Sequence, residues 1–356
     1  MTTPASSASG RKRTTRTDVA RLAGVSTATV SYVLNGDANR VSPETARRVL
    51  DAAEKLDYRP SIIARALKTG KTGMLGIVVP DITNPYFGEL VEQLERGATE
   101  YGHSLVVNLS HGLADIERTR VEELSDRNVD AIFLSPAQND AELGALTRQG
   151  KHIVILDHTS PIGDMKCVST DFYQASYDIA AHLLGHGRRR AAMLFGDEAA
   201  LSDQRVMGWT QAHRDLGLPA GPVYQSDFTR EGAYQITVNL LTRPAQERPD
   251  AIFAASDLEA LGALRAIHEA GLRVPEDIAL ISFDGTAETL YTWPQLTTMK
   301  QDTMQIARCA IDAALRPDTT PDVQLVPAKL IIRRSCGCRR RAIRLTNPQI
   351  IRVLTC

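Results

Sequence analysis

The chain contains no apolar run approaching the ~20 residues that a bilayer-spanning helix needs, so no membrane-embedded segment is expected. Its opening, "MTTPASSASG", is polar and lacks the apolar stretch of a secretory signal. Cysteine is sparse: there are five, an odd number, with Cys167, Cys309 and Cys336 far apart and Cys336 and Cys338 flanking one glycine. That is not a zinc spacing, and with no secretory signal it predicts the reducing cytoplasm, with no metal and no cofactor. Catalytic signatures are missing as well. No G-x-G-x-x-G follows the first strand-like run, and no Walker loop, H-E-x-x-H or G-x-S-x-G occurs. These absences weigh against an enzyme and leave a binding or regulatory role.

What is present is a chain of 356 residues, 43% hydrophobic, long enough for two or three domains with a substantial core. The net charge of −1 conceals an imbalance. Residues 1–70 hold twelve Lys/Arg against six Asp/Glu, a surplus of +6, which leaves −7 for the remainder. A basic head on an acidic body suggests that the head meets a polyanion; a merely solvated basic tail is the alternative.

Residues 1–16 are poor in apolar side chains and are expected to be a disordered basic arm. Residues 17–59 read as all-helical. Thr17 is the expected cap of a helix ending at Ala23, and Gly24 breaks it. Ser26 caps a second helix that ends near Asn35-Gly36, and "SPET" starts a third with Ser42 as cap and Pro43 in the first turn. Its apolar positions Ala46, Val49, Leu50, Ala53 and Leu56 keep helical spacing. Residues 60–73, "PSIIARALKTGKTG", offer one or two more turns and a loose linker. From residue 74 to 338, β-rich runs such as "MLGIVVP", "AIFLSP", "HIVILD", "AAMLFGD" and "IALISFD" alternate with helices near 86–101, 173–186, 205–216, 231–242 and 257–270. That rhythm predicts an α/β core of two doubly wound lobes with a cleft between them. "LTTMKQDTMQIARCAIDAAL" then returns to the first lobe and "VQLVPAKLIIRRSC" closes the fold. Residues 339–356 form a basic tail without a heptad repeat, so no tetramerising coil is inferred.

Two short helices joined at a tight glycine turn match a helix-turn-helix, whose second helix enters the major groove; an ordinary helical hairpin has the same outline. In "STATVSYVLN", Val30, Val33 and Leu34 are expected to face the core, and Thr27, Ala28, Ser31 and Tyr32 to face outward. Ala28 or the Thr27 methyl suits a thymine methyl, and Ser26, Thr29, Ser31 and Asn35 suit phosphate oxygens.

The stretch "TDVARLAGVSTATVSYVLNG…VSPETARRVLDAAEKLDYRPSIIARALKTGKT" resembles the LacI/GalR family of bacterial repressors. The dense match covers roughly residues 17–90. Looser similarity continues to about residue 338 through "VPDITNPYF", "AIFAASD", "GLRVPEDIALISFDG" and "LTTMKQD". The resemblance implies a helix-turn-helix head, a hinge helix and a core like periplasmic sugar-binding proteins. By position, Thr27, Ala28 and Tyr32 match the family's base-reading residues; Tyr32 either bonds a base edge or packs on a methyl. Thr17, at the start of the first helix, joins the expected DNA contacts.

"SIIARALK" is about two turns long, and helices shorter than ~12 residues are marginal in water. It should fold only when something else stabilises it. In the family, two such helices pair in the minor groove. Leu67 matches the wedge between central base pairs, Ala64 is small enough for close helix contact, and Arg65 and Lys68 can approach phosphates. The plainer reading makes Leu67 the apolar face of a linker helix. Paired heads require a homodimer on a near-palindromic site.

A doubly wound sheet binds ligands at the carboxyl ends of its strands. Asp157 ends "HIVILD" there. The resemblance adds Tyr86 and Phe87 as cleft walls, Arg205 in "SDQRVMGW" as effector-binding arginine, Phe228 in "SDFTREGAY" as stacking aromatic, and Asp284 after "IALISF" as effector-binding acid. Asp257 in "FAASDLEAL" is either a ligand contact or simply the first-turn acid of its helix. Arg205 and Asp284 read alternatively as an ion pair or surface residues, and Tyr86 and Phe87 as core. His111, His158 and His182 have no partner at useful spacing and are expected on the surface. The effector implied is a sugar, with a nucleobase not excluded. A secreted small-molecule-binding protein would share the cleft but not the basic head.

Overall fold

The computed structural model describes residues 14–34, 40–59, 70–137, 140–147, 152–196 and 203–338. Asn35, the hinge residues Ala64, Arg65, Leu67 and Lys68, most of the basic arm and the basic tail lie outside the described residues. The chain divides into two compact units, Met1–Thr72 and Gly73–Cys356.

In the first unit, α1 spans Arg16–Ala23, α2 Thr27–Leu34 and α3 Pro43–Lys55. The cap of α1 is Thr15 rather than the expected Thr17. Thr15 and Asp18 form a capping box: the Thr15 backbone N–H donates to Asp18 at 2.9 Å while the Thr15 hydroxyl accepts from the Asp18 amide. Gly24 ends α1 in the left-handed region at φ 65°, which a residue with a Cβ enters only under strain. Ser26 accepts from the Thr29 amide at 3.1 Å and Ser42 from the Thr45 amide at 3.3 Å, so both expected caps form. The three helices close over Val19, Ala20, Ala23, Val30, Val33, Val49, Ala52 and Ala53. One expected core position fails: Leu50 is 52% exposed. The stripe that meets α1 runs through Val49, Ala52 and Ala53, and Leu50 lies one residue off it.

The second unit holds two six-stranded sheets. The first lobe contains β1 (Met74–Val79), α4 (Pro85–Glu100), β2 (Ser104–Leu109), α5 (Ala114–Asp126), β3 (Ala131–Leu134), α6 (Asp140–Thr147), β4 (Ile153–Leu156) and β5 (Lys166–Thr170). The second contains α7 (Phe172–Gly185), β6 (Ala191–Phe195), α8 (Gln204–Asp215), β7 (Val223–Gln225), α9 (Arg230–Leu241), β8 (Ala251–Ala254), α10 (Asp257–Glu269), β9 (Ala279–Asp284) and β10 (Thr297–Lys300). The chain then returns to the first lobe with α11 (Thr303–Leu315) and β11 (Val323–Val326), and ends in the second with β12 (Lys329–Ile331). Strand order is β11-β5-β4-β3-β1-β2 in one sheet and β12-β10-β9-β8-β6-β7 in the other. The central strands are buried on both faces, which is why they read as near-continuous apolar runs. The helices expected near 86–101, 173–186, 205–216 and 231–242 each start and end one residue earlier. Among the described residues no helix is long and apolar enough to cross a membrane.

Three crossings join the lobes, after β5, after β10 and after β11. They are tied to one another. The Asp171 amide donates to Val326 O at 2.9 Å, and Thr170 bonds the Gln301 side chain. Gln301 Nε2 in turn donates to Asp284 Oδ1 at 2.9 Å, linking a crossing to a strand end in the second sheet.

Candidate functional site

In the head, Thr27 and Ala28 are exposed and Ser31 and Tyr32 half-buried, while Val30 and Val33 are buried and Leu34 packs on the same core. The first turn and a half of α2 therefore presents a face of small side chains, with Tyr32 beside it under the Arg40 guanidinium at 5.3 Å. The Ser26 hydroxyl serves the cap and lies 2.9 Å from the Thr29 hydroxyl, leaving both at the rim of that face. Thr17 is exposed on α1.

In the second unit, the carboxyl ends of the strands carry the cleft candidates. Three of them, Asp157, Phe228 and Asp284, have φ of 56°, 52° and 103°. Non-glycine residues rarely occupy this region, and such strain is often found at binding sites; Asp57, His111, Asn128 and Asp227 share it elsewhere in the chain. From the first lobe, Tyr86 is buried at the start of α4, and its hydroxyl donates to Asp157 Oδ1 at 2.9 Å; Ser135 donates to Oδ2 at 3.0 Å. Phe87 is half-buried and meets the Tyr86 ring edge-on at 5.1 Å. Tyr86 thus belongs to the core by its ring and to the cleft by its hydroxyl. Burial pushes the Asp157 carboxyl up, against the pull of its two hydroxyl donors and of Arg205.

From the second lobe, Asp203 caps α8 and its carboxylate accepts from the Arg205 amide at 2.7 Å while lying 3.6 Å from Arg205 Nε. The Arg205 guanidinium rests on Phe172 at 4.0 Å, with Phe195 at 5.3 Å and Phe228 at 5.6 Å. Its Nε is buried and makes no hydrogen bond in the chain. Its charge reaches Asp157 across the cleft as well as Asp284 and Glu259 within its own lobe. Phe228 packs against Gly196 so closely that a Cβ there would sit 1.8 Å from the ring.

Asp284 is buried at the end of β9, its carboxyl held well above the usual range by burial and by the neighbouring Asp257 charge. Of the two readings of Asp257, the first-turn acid is the one its position matches. It lies in the first turn of α10, fully enclosed, and accepts from Ser282, from the Thr286 amide and hydroxyl at 2.7 and 2.8 Å, and from Thr298 at 3.0 Å. Its acceptors are engaged inside the lobe, and burial raises its carboxyl to about 6. Sequence reasoning missed Glu259, two residues on, wholly buried between Ser226 and Ser256 and raised by burial to about 7. It also missed Ser135, Phe172, Phe195 and Gln301. Each sits at a strand end or a crossing, a position that periodicity alone does not distinguish from core.

This arrangement offers acceptors and donors of both charges around an aromatic floor, which suits a polar ring-shaped ligand. Residues 15–61 match the bacterial regulatory proteins of the lacI family, and residues 180–336 match a periplasmic binding protein-like domain. Catabolite control protein A of Priestia megaterium is 32% identical over 83% of this chain and 89% of that protein. The ribose operon repressor of Escherichia coli (strain K12) is 32% identical over 87% of this chain and 94% of that protein. Among solved structures, the lac repressor dimer bound to operator and the anti-inducer ONPF is 26% identical and superposes with a TM-score of 0.81, over 91% of this chain and 99% of that one. With a head matching the family's own profile and relatives of this similarity along nearly their whole length, the chain belongs to the LacI family of bacterial regulatory proteins.

Proposed function

We propose that the protein is a cytoplasmic transcriptional repressor that grips a near-palindromic operator as a homodimer and changes its hold when a sugar binds between the lobes of its core. Thr27, Ala28 and Tyr32 read bases; Thr17, Ser26, Thr29, Ser31 and Asn35 hold phosphates. The hinge segment with Ala64, Arg65, Leu67 and Lys68 opens the minor groove. Effector contacts come from Tyr86, Phe87, Asp157, Arg205, Phe228 and Asp284.

One observation carries this reading: the Arg205 cation lies over Phe172 at 4.0 Å and near Phe195 and Phe228 in one lobe, within electrostatic reach of Asp157 in the other. Sugar hydroxyls donate to carboxylates and accept from a guanidinium, and the apolar face of the ring covers Phe228. A ligand bridging Asp157 and Asp284 favours the closed arrangement. Asp284 is bonded through Gln301 to Thr170 at the crossings, so the cleft and the interlobe crossings share side chains. The coupling is the difference in sugar affinity between operator-competent and operator-incompetent states. No chemical step is required of any residue.

A thermal-shift screen of pentoses, hexoses and nucleobases, followed by calorimetry, tests the ligand class. A sugar is expected to raise the melting temperature, and a response confined to nucleobases would reassign the effector. Arg205→Ala should lose that response while gel-shift affinity for the operator persists. Leu67→Gly should do the reverse. A retained response in the first variant overturns the cleft assignment, and unchanged operator affinity in the second overturns the wedge.

A further inference from the structure

The geometry points to a structural zinc site, bound by His182, His186, Cys336 and Cys338, that fastens the closing segment of the second lobe onto α7. The donor atoms of these four side chains all lie within 4.8 Å of one another. Cys338 Sγ is 3.2 Å from His186 Nε2 and 3.6 Å from His182 Nε2. A tetrahedral zinc ion, with bonds of about 2.3 Å to sulfur and about 2.0 Å to nitrogen, spaces its donors roughly 3.3–3.8 Å apart. Both rings turn Nε2 toward the same sulfur, edge to face with centroids 4.7 Å apart, so three of the four donors already face one point.

The sequence expectation that His182 has no partner is corrected by its 3.6 Å contact with Cys338; the proposed site also departs from the reading that Cys336-Gly-Cys338 is no zinc spacing. Each half of the set looks incomplete alone. His182 and His186 are four apart, on one face at the end of α7, and the two thiols come from a segment 150 residues later. That segment is anchored independently of any ion. The Leu280 amide donates to Ser335 O at 2.8 Å, and the Ser335 hydroxyl accepts from the Thr297 amide at 2.8 Å. Gly337 then turns in the left-handed region at φ 96°, which brings both flanking sulfurs to one side. Cys336 is fully buried in the lobe core, while His186 is exposed. The pair of histidines sits at the carboxyl end of a 14-residue helix, where the helix dipole favours a cation. Two thiolates and two neutral imidazoles neutralise Zn²⁺ and fill its four positions, so the site is of the closed, structural kind.

The test uses the full-length chain without a histidine tag, in a phosphine reductant, stripped with a chelator and titrated with Co²⁺. One cobalt per chain is expected, with the thiolate charge-transfer band and the intense visible bands of tetrahedral coordination, displaced stoichiometrically by Zn²⁺. His186→Ala and Cys338→Ser lie at exposed and half-buried positions, and circular dichroism verifies their fold. Each should weaken cobalt binding by more than the roughly 10–100-fold that removing a mere orienting partner of a ligand costs. Chelation should lower the melting temperature of the parent and leave the variants unmoved. No cobalt taken up by the folded parent, a pale octahedral spectrum, or a thiolate–cobalt spectrum that survives both substitutions would each overturn the site.

Discussion

The two sheets of the core have the same strand order for five strands and differ at the sixth. In the first, β11 runs parallel to β5; in the second, β12 runs antiparallel to β10. The connection between β11 and β12 explains the difference. Only residues 327–328 separate them, so a strand that ends at the cleft edge of one sheet must enter the other from its cleft edge. Entering there, it can only run against its neighbours. All three crossings leave from the carboxyl ends of parallel strands, where Asp157 and Asp284 also lie. The candidate cleft and the crossings therefore share the same strand ends, and the antiparallel strand is the trace of that economy.

The lobes differ in how their helices touch. In the second lobe, a Cβ on Gly208 of α8 would lie 2.1 Å from Tyr173 O of α7, and one on Gly262 of α10 would lie 2.1 Å from Arg230 O of α9. In the first lobe, a Cβ on Gly97 of α4 would meet only the side chain of Ile311 on α11, at 3.3 Å. Backbone against backbone cannot yield without moving a whole helix. Gly208→Ala is expected to destabilise the second lobe by about 3 kcal/mol or more, the upper end of overpacking, measured by urea unfolding. A neutral result would mean that α7 and α8 slide freely and would erase the contrast.

Buried acids form a second contrast. Glu259 holds its proton up to about 7 when folded, against an ordinary 4.5. Between those values the native state binds more protons than the unfolded chain, so the stability this group contributes is full below about 4.5 and lost as pH rises through about 7. The span is about 3 kcal/mol. Glu259→Gln, which keeps partners for Ser226 and Ser256, should flatten the fall in melting temperature between pH 5 and pH 8, by less than that full span because Asp284 and Asp257 decline with it. An unchanged slope would assign the pH response to those aspartates. The smallest effect belongs to Gly97→Ala. Helix propensity gains about 1 kcal/mol and Ile311 gives way by a few tenths of an ångström, so the change should stay within about 1 kcal/mol. A large loss there would make the lobes equally tight.

Much of this architecture was legible in the sequence because it is written in period. Helices near 86–101, 173–186, 205–216 and 231–242 were each displaced by one residue, and the return of the chain to the first lobe was foreseeable from "LTTMKQD". The cap of α1 was misplaced because Thr15 and Thr17 are equally good caps in isolation; only Asp18, three residues from Thr15, decides between them. Leu50 and Ala52 exchanged roles because a three-helix head buries a narrower stripe than the apolar pattern offers. Asp257 and Glu259 could not be told from cleft acids by type: that one turns onto Ser282 and the other onto Ser226 is a matter of rotation about one helix start. The histidine–cysteine cluster was invisible for a different reason. Its halves lie in the same lobe but are separated in the chain by an excursion through the other lobe and back, two crossings, and no local spacing records that.

The bare glycine at 196 shapes what successors of this protein can become. On the assignment of Phe228 to the effector site, a side chain added there would evict the ring, so that wall cannot be filled one methyl at a time. A change of ligand is then met by trimming Phe228 itself or by altering the opposite lobe, where Tyr86 and Asp157 are joined through a hydroxyl contact.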